Sequence, residues 1–417
     1  MRSSLLTFTA VINLLLLAVD AAPTRQPRPI SVPLKRGLSP SLTKRGAASH
    51  PLWNFAPLGY IIDVNVGTPS QTFTVLIDTG SADLWIPSSS CTKETGCLGK
   101  TFDASQSSTF KNTSEPFDIV YGSGSDNGTY VTDVVRIGDF AVNDQTLALV
   151  YDAGNTTKQA RSTPYMDGIL GMAWDTGVYG ALHNYTYPPF IYNLYSTGQI
   201  PTLSFGLHLG GLYSQGYAGT VTFGGIDSSQ FTGDLQYIPA QQENFHGTTS
   251  YVHWTVYVDS LKLQSANTTY GFPSGPALVA LDSGSSFAYL PRSMVEGILH
   301  NIAGTDYQPI TNSTFQVECA LLNSTEVVEV TFPGAGNSPP VILQAAVKDM
   351  IIPETDGINN ECLLGISAQD QNSLYIFGDA FLRSWYLNFD FTNKQVGLAQ
   401  AVNRDDPQFS FDVNNLV

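Results

Sequence analysis

Apolar and polar residues alternate along short stretches of this chain with the period of two that is typical of a half-buried strand. Phe73, Val75 and Ile77 alternate with threonines, and Trp254 and Val256 belong to a second run of the same kind. The 37 Gly and 24 Pro interrupt such runs with turns. This pattern favours strands joined by turns over helical bundles, so it predicts a mostly β protein.

Two segments of the chain can be laid over each other without a gap. Leu76-Ile-Asp-Thr-Gly-Ser-Ala-Asp-Leu-Trp-Ile-Pro87 and Ala280-Leu-Asp-Ser-Gly-Ser-Ser-Phe-Ala-Tyr-Leu-Pro291 both place an Asp after apolar residues and then a hydroxyl residue, Gly and Ser. A second correspondence follows downstream, where Ile169-Leu170-Gly171 resembles Ile376-Phe377-Gly378. Internal duplication explains both correspondences, so we expect two similar lobes in a chain of 417 residues.

Asp78 and Asp282 lie where a predicted buried strand ends in a tight loop. A carboxylate in that position is costly unless it is hydrogen-bonded or paired, and the hydroxyls of Ser81 and Ser285 can donate to it. If the two loops meet, like charges at that distance cannot both ionise, so the carboxyls share one proton. One carboxyl could then deprotonate a water while the other donates a hydrogen bond to a substrate carbonyl. We expect peptide hydrolysis without a covalent intermediate.

These loops, together with three further motifs, resemble those of the pepsin-like aspartic proteases (family A1). The further motifs are Tyr121-Gly-Ser-Gly, Asp167-Gly-Ile-Leu-Gly and Phe377-Gly-Asp-Ala-Phe-Leu-Arg383. The resemblance covers the chain from Leu58 to Ala401 and is strongest to secreted fungal members with dibasic propeptide processing. It implies a mostly β, bilobal pepsin-like acid protease fold, with two pseudo-twofold-related β-barrel-like lobes and the active-site cleft between them. It implies an aspartic-type endopeptidase with Asp78 and Asp282 as the catalytic residues.

The resemblance also implies roles for residues around the two aspartates. Tyr121 and Gly122 would belong to a β-hairpin flap that closes over an extended substrate, and Trp85 would donate a hydrogen bond to that tyrosine. Gly80 and Gly284 would offer backbone groups to the substrate.

Supporting hydrogen bonds are expected from four hydroxyl residues of the two loops, namely Thr79, Ser81, Ser283 and Ser285. Ser283 stands where many family members have Thr. Ser keeps the hydroxyl and loses only a methyl group, so this departure leaves the expected catalysis intact.

The N-terminal part of the chain carries processing signals. Residues 1–21 have the basic start, apolar run and small residues of a secretory signal peptide. The alternatives are a buried helix and a membrane anchor, and both are disfavoured, the anchor because the apolar run is shorter than the ~20 residues that a span needs. The tail after Arg404 lacks a lipid-anchor signal. We therefore expect a secreted, extracellular protein without a membrane anchor.

Residues 22–45 are expected to be a propeptide, removed by a processing protease that cuts after Lys44-Arg45. Lys35-Arg36 is a second dibasic pair, and a solvated basic loop is the alternative interpretation of both. Val32-Pro-Leu-Lys-Arg36 is similar to propeptide segments that cover the cleft of family zymogens, where a basic residue could contact the aspartates. The N-terminal catalytic lobe would then span residues 46–237 and the C-terminal catalytic lobe residues 238–417.

Charge narrows the choice of partners. The chain has 19 basic and 35 acidic residues, a net charge of −16. Removing residues 1–45 would take away seven basic residues and one acidic residue, which leaves 12 and 34, a net charge of −22. Such a body repels phosphate backbones, which argues against nucleic acid as a partner, and it would be less charged in acid. We expect polypeptide substrates, a monomer and no cofactor.

Four cysteines suit an oxidising compartment as two disulfides, and sequence alone permits three connectivities. We expect Cys91 to pair with Cys97 and Cys319 with Cys362. Zinc is disfavoured because the chain has no C-x-x-C motif and its six histidines are scattered. N-glycosylation is predicted at seven sequons: Asn112, Asn127, Asn155, Asn184, Asn267, Asn312 and Asn323.

Two other function classes remain in competition. Glycoside hydrolases also use two carboxylates, although they need no duplicated loops. A catalytically inactive member of the same fold, acting as an inhibitor or lectin-like protein, would be expected to lack an aspartate or the flap tyrosine. Specificity stays open between bulky apolar residues and basic residues, since Asp83 and Asp126 lie in the predicted cleft segments.

Overall fold

The computed structural model describes residues 27–36, 59–122, 124–154, 166–211, 219–336, 338–353, 361–369 and 374–402. The predicted signal peptide, the Lys44-Arg45 site, Asn155 and the tail after Arg404 lie outside these residues. The predicted propeptide is described only in residues 27–36.

The described residues fold into short strands with few helices, which confirms the mostly β prediction. Strands of the first half are β1 (Ile30–Arg36), β2 (Tyr60–Val66), β3 (Gln71–Asp78), β4 (Leu84–Pro87), β5 (Lys111–Tyr121), β6 (Gly124–Ile137), β7 (Phe140–Asp152), β8 (Gly168–Gly171), β9 (Ser204–Leu209), β10 (Gly219–Phe223) and β11 (Phe231–Pro239). Strands of the second half are β12 (Gln241–Phe245), β13 (Thr248–Val258), β14 (Ser260–Leu263), β15 (Thr268–Gly271), β16 (Ala277–Leu281), β17 (Ala288–Pro291), β18 (Tyr307–Pro309), β19 (Phe315–Glu318), β20 (Val327–Phe332), β21 (Val341–Ala346), β22 (Ile351–Pro353), β23 (Glu361–Leu364), β24 (Ile366–Gln369), β25 (Tyr375–Phe377), β26 (Trp385–Asp390) and β27 (Gln395–Ala401).

The helices are short and lie between strands. The α-helices are α1 (Phe190–Ser196), α2 (Arg292–Ala303) and α3 (Asp379–Leu382). Single 3₁₀ turns occupy Ala104–Gln106, Asp175–Gly177, Tyr179–His183, Ser228–Gln230, Cys319–Asn323 and Val347–Met350. Within the described ranges, no helix is long and apolar enough to cross a bilayer.

The largest sheet joins both halves of the chain. Its 13 strands run in the order β11-β27-β26-β9-β10-β1-β2-β3-β8-β4-β7-β6-β5, so β26 and β27 of the second half lie beside β9 and β11. The expected lobe boundary at residues 237 and 238 falls inside β11. Three smaller sheets, of six, four and four strands, belong to the second half.

Strand β1 is an integral part of this sheet although it belongs to the predicted propeptide. It runs antiparallel to β10, with Ile30 opposite Phe223, and then antiparallel to β2, with Lys35 opposite Ile61. Leu34 is fully buried. Proteolytic removal of residues 22–45 would therefore take a paired strand out of the middle of the sheet.

The two halves repeat one topology around the aspartate-bearing strands. In the first half β3 runs parallel to β8 and β4 parallel to β7, while β4 and β8 are antiparallel. In the second half β16 runs parallel to β25 and β17 parallel to β24, while β17 and β25 are antiparallel. The duplication seen in the sequence is thus a duplication of strand pairing, and it places the two loops at equivalent positions.

An aromatic cluster packs the two halves against each other. Trp174 lies 4.4 Å from Trp254 between ring centroids, and Phe391 lies 4.7 Å from Trp254. Phe205 stacks on Phe389 at 4.7 Å. Each such pair contributes about 0.5–1.5 kcal/mol beyond its buried area. The cluster therefore helps to hold the two halves in one relative position.

Both disulfides form the pairing expected from the sequence. Cys91 is bonded to Cys97, six residues away, and Cys319 is bonded to Cys362, 43 residues away. All four cysteines are buried.

Loop length predicts unequal contributions from the two disulfides. Replacing Cys319 and Cys362 by Ser should lower the free energy of unfolding by about 4 kcal/mol, and replacing Cys91 and Cys97 by about 2 kcal/mol, because the longer loop restricts the unfolded chain more. Urea unfolding of the two double variants measures both values. Equal losses, or a larger loss for the short loop, would contradict this ranking.

Candidate active site

The two aspartates occupy equivalent places at the ends of buried strands. Asp78 is the last residue of β3, and Asp282 directly follows β16. The carbonyl of Asp78 accepts a hydrogen bond from the Met172 N–H at 2.7 Å, while the N–H of Asp282 donates to the Phe377 carbonyl at 3.0 Å. Both loops are therefore anchored to the neighbouring parallel strand, which fixes the origin of each side chain.

A symmetric set of buried hydrogen bonds ties one loop to the other. The hydroxyl of Thr79 donates to the Leu281 carbonyl at 2.7 Å and accepts from the N–H of Ser283 at 2.9 Å. The hydroxyl of Ser283 donates to the Ile77 carbonyl at 2.8 Å and accepts from the N–H of Thr79 at 3.2 Å. Thr79 and Ser283 are completely buried. Each hydroxyl has both a donor and an acceptor, so neither loop can move alone without leaving a buried polar group unpaired.

Each carboxylate accepts two hydrogen bonds from its own loop. In both loops Oδ1 accepts from a glycine N–H at 2.8 Å, and Oδ2 accepts from a serine hydroxyl at 2.5 Å in the first loop and 2.8 Å in the second. The donors are Gly80 and Ser81 for Asp78, and Gly284 and Ser285 for Asp282. These bonds orient the two carboxyl groups in the same way.

The glycines show how closely the two loops approach. A Cβ atom on Gly80 would lie 2.5 Å from Oδ1 of Asp282, and one on Gly284 would lie 2.3 Å from Oδ1 of Asp78. Each carboxyl group therefore packs on the glycine of the opposite loop. Any side chain at either glycine would push the carboxyls apart, which explains the glycine at the third position of both motifs.

The environment of the aspartates favours a shared proton. Burial, then the charge of Asp282, raises the pKa of Asp78 from 3.8 to about 7, although hydrogen bonds from Ser81 and Gly80 oppose the shift. A hydrogen bond between the two carboxyls also raises this pKa. The proton belongs to the pair as a unit. In mildly acidic solution the pair therefore holds one acid and one base side by side.

Tyr121 lies at the tip of a long hairpin formed by β5 and β6. It ends β5 and is opposite Gly124, which begins β6 with a φ of 157°. Its hydroxyl accepts a hydrogen bond from Nε1 of the completely buried Trp85 at 3.0 Å. Burial raises the pKa of Tyr121 well above its usual value, with Asp126, Asp78 and Asp83 adding to the shift. Gly122 lies in the turn and is exposed.

The structure buries the two acids that we considered for basic specificity. Asp83 and Asp126 are both fully buried. The carboxylate of Asp83 accepts hydrogen bonds from the hydroxyls of Tyr187 at 2.6 Å and Tyr130 at 2.7 Å, and from the N–H of Tyr179 at 2.8 Å. Burial raises the pKa of Asp83, against these hydrogen bonds. Neither acid presents a carboxylate to solvent where a basic substrate side chain could contact it.

One ionisable pair close to the aspartates was missed in the sequence. His253 on β13 contacts Glu243 on β12 with a distance of 2.8 Å between Nδ1 and Oε1. The available signal was the position of His253 on the strand beside β16, but the pairing register is needed to recognise it.

The other predicted sites fall as follows. No group of three or more His, Cys, Asp or Glu residues in the described ranges could hold a metal ion. Among the six sequon asparagines that the structure describes, Asn127 is half-buried on β6, and the exposed ones are Asn112, Asn184, Asn267, Asn312 and Asn323.

The raised pKa of Asp78 predicts a pH-dependent stability. Because the folded-state pKa is the higher one, the carboxyl contributes stability that is complete below about pH 4 and is lost as the pH rises to about 7. The side chain of Asp78→Asn cannot ionise, so the free energy of unfolding of this variant should fall less than that of the parent between these pH values. The difference between the two falls should be up to about 4 kcal/mol. Urea unfolding at both pH values tests this, with the exposed Asp139→Asn as a control. Equal falls in the parent and Asp78→Asn would contradict it.

Comparisons with known proteins agree with this geometry. The family model described as eukaryotic aspartyl protease matches residues 59–401. The chain is similar to mucorpepsin of Rhizomucor miehei, at 33% identity over 347 residues that cover 82% of this chain and 77% of that protein. It is 32% identical to the vacuolar aspartic protease of Candida albicans over 361 residues, 85% of this chain and 78% of the other. It is 31% identical to pregnancy-associated glycoprotein 2 of Bos taurus over 357 residues, 85% of each. The chain therefore belongs to the eukaryotic aspartyl protease family and is an aspartic-type endopeptidase with the bilobal pepsin-like fold.

Proposed function

We propose that this protein is a secreted endopeptidase that hydrolyses peptide bonds in acidic surroundings with a water activated by Asp78 and Asp282. The observation that carries the proposal is the reciprocal packing of each carboxyl group on the glycine of the opposite loop. This contact brings the two carboxyls to one site. Polypeptides are the substrates of the family to which the chain belongs.

The reaction needs one ionised and one neutral carboxyl. The ionised carboxylate takes a proton from water as the water oxygen attacks the carbonyl carbon, and the neutral carboxyl donates its proton towards the carbonyl oxygen. The resulting tetrahedral diol collapses when the carbon–nitrogen bond breaks. The carboxyl that took the proton from water passes it to the leaving nitrogen, and the other carboxylate regains its proton from a diol hydroxyl as the carbonyl re-forms. No covalent enzyme intermediate forms. The hydrogen bonds from Ser81 and Ser285 hold the carboxyl planes in place during these transfers.

The Tyr121 hairpin supplies the cover over an extended substrate. The hydrogen bond from Trp85 holds the Tyr121 hydroxyl in place, and the charge of Asp78 contributes to the raised pKa of Tyr121. A hairpin tip can open for entry and close over the bound chain, which excludes water from the reacting bond.

Separate observations support acidic surroundings and secretion. The reactive state of the aspartate pair carries a single proton, and this state is lost as the pH rises past the pKa of about 7. The net charge of −16 also becomes less negative in acid, because carboxylates take up protons and become neutral. The signal-peptide pattern in residues 1–21, the dibasic pairs and seven sequons favour export as a processed, glycosylated zymogen.

Amide substitution of either aspartate tests the proposal directly. Asp78→Asn and Asp282→Asn should each reduce kcat for a denatured protein substrate at about pH 4 by 10²-fold or more, because an amide group can act neither as the acid nor as the base. The exposed Asp139→Asn on the turn between β6 and β7 should keep the parental rate. Circular dichroism of each variant checks that the fold is intact. A folded Asp78→Asn enzyme that retains its rate would refute the proposed chemistry.

The flap hydrogen bond predicts a smaller effect. Tyr121→Phe removes the acceptor of the Trp85 N–H, so kcat/KM should fall about five- to tenfold, which corresponds to the loss of about one hydrogen bond. Tyr195→Phe, which changes an exposed tyrosine on α1, is the matched control. Steady-state kinetics on one peptide measures kcat/KM for both variants. Identical values would exclude a role for the Tyr121 hydroxyl.

A further inference from the structure

A histidine and a glutamate form a half-buried ion pair next to the aspartate pair. Oε1 of Glu243 accepts a hydrogen bond from the backbone N–H of His253 at 2.9 Å and contacts Nδ1 of the same residue at 2.8 Å. The side chain of His253 is 25% exposed and that of Glu243 is 11% exposed. A carboxylate this buried needs partners, and His253 supplies both of them.

An irregularity in strand pairing creates this arrangement. The register between β12 and β13 shifts between Gln241, which is opposite Thr255, and Glu243, which is opposite Ser250. The N–H of His253 is therefore free to donate to a side chain instead of the neighbouring strand. Bulges of this kind commonly redirect side chains beside active sites.

The pairing of β13 with β16 brings His253 to the level of Asp282. Thr255 is opposite Ala280 and Val256 is opposite Val279 in this antiparallel pair. His253 comes two residues before Thr255 and Asp282 two residues after Ala280, so both lie at the same end of this strand pair.

The charged groups around His253 come from several elements. Glu243 is on β12, Asp282 follows β16 and Asp78 ends β3, and all three interact electrostatically with His253. Tyr251, also on β13, has the Nζ atom of Lys394 over its ring, 5.1 Å from the centroid. The ring of Phe245 lies 5.8 Å from that of His253 and 4.4 Å from that of His246 between centroids.

These charges favour the imidazolium form. Burial lowers the pKa of His253, but the hydrogen bond and charge of Glu243 raise it, and Asp282 and Asp78 add to the rise, so the pKa lies above its usual 6.5. In acid His253 is therefore a cation that interacts with both aspartates.

We propose that His253, held by Glu243, is a positioning residue that sets the pH range of the Asp78 and Asp282 pair by placing a positive charge beside it. The inference rests on the proposed function of that pair. A neighbouring cation favours ionisation, so it lowers the pH of both proton losses from the aspartates. Glu243 opposes this effect and limits it.

The two partners must therefore shift activity in opposite directions. His253→Gln removes the cation and leaves the Glu243 carboxylate, so both limbs of the profile of kcat/KM against pH should move to higher pH. Glu243→Gln leaves an uncompensated imidazolium in acid, so the acidic limb should move to lower pH. The basic limb should move less, because without Glu243 the burial of His253 lowers its pKa and the cation is lost sooner. We expect shifts of about half a unit to one unit. His300→Gln, at an exposed position of α2, is the control and should keep the parental profile.

A second measurement does not depend on catalytic activity, so it tests the inference even if a variant folds poorly and loses activity. Coupling between sites is reciprocal, so removing the charge of the aspartates must lower the pKa of His253. NMR titration of the histidine rings in the parent and in the double variant Asp78→Asn, Asp282→Asn measures this shift.

The inference is supported if the acidic limbs of the two pH profiles move in opposite directions and the pKa of His253 falls in the double variant. Acidic limbs that stay unchanged, move in the same direction or move for one variant only would overturn it, as would an unchanged pKa. Failure of the proposed function is a separate result, because it appears as full activity in a folded Asp78→Asn enzyme.

Discussion

The structure depends on holding two carboxyl groups in contact, that of the buried Asp78 and that of the half-buried Asp282. Separately, each would be a costly group at the end of an apolar strand. Together they are stable because Thr79 and Ser283 cross-link the loops, and because Gly80 and Gly284 leave room for the approach. Burial and the charge of Asp282 raise the pKa of Asp78, so a proton is retained on the pair, and that retained proton makes the pair suited to hydrolysis.

The rest of the fold serves this contact at a larger scale. Each aspartate-bearing strand is clamped by a parallel partner, and the aromatic cluster around Trp174 and Trp254 keeps the two halves together. The shared sheet adds a second connection, in which β9 and β26 pair across the halves with Leu207 opposite Leu387. A rigid frame of this kind keeps the loops in register while the Tyr121 hairpin remains at the surface of the site.

Local patterns in the sequence were sufficient for the strands and for the two loops. Phe73, Val75 and Ile77 are all buried on β3, as their alternation predicted. The duplicated loops could be recognised because Asp, Gly and Ser recur in a fixed order within a few residues. Such signals are short-range, so they do not require knowledge of the fold.

Long-range partners could not be predicted in the same way. Two buried apolar strands such as β9 and β26 carry no local mark that selects one for the other, so the joint sheet was missed. The surroundings of Asp83 were equally hidden, because its donors Tyr130 and Tyr187 are distant in the chain. The contacts of His253 depend on the irregular pairing of β12 with β13 and on the register of β13 with β16, and neither can be predicted from the local sequence.

A neutron diffraction structure at about pH 5 would test the central claim most directly, since it locates protons on individual oxygens. The account predicts a single deuteron shared by the carboxyl groups of Asp78 and Asp282, and one water molecule hydrogen-bonded to both. Two fully ionised carboxylates, two neutral acids, or carboxyl groups that face separate solvent sites would contradict it.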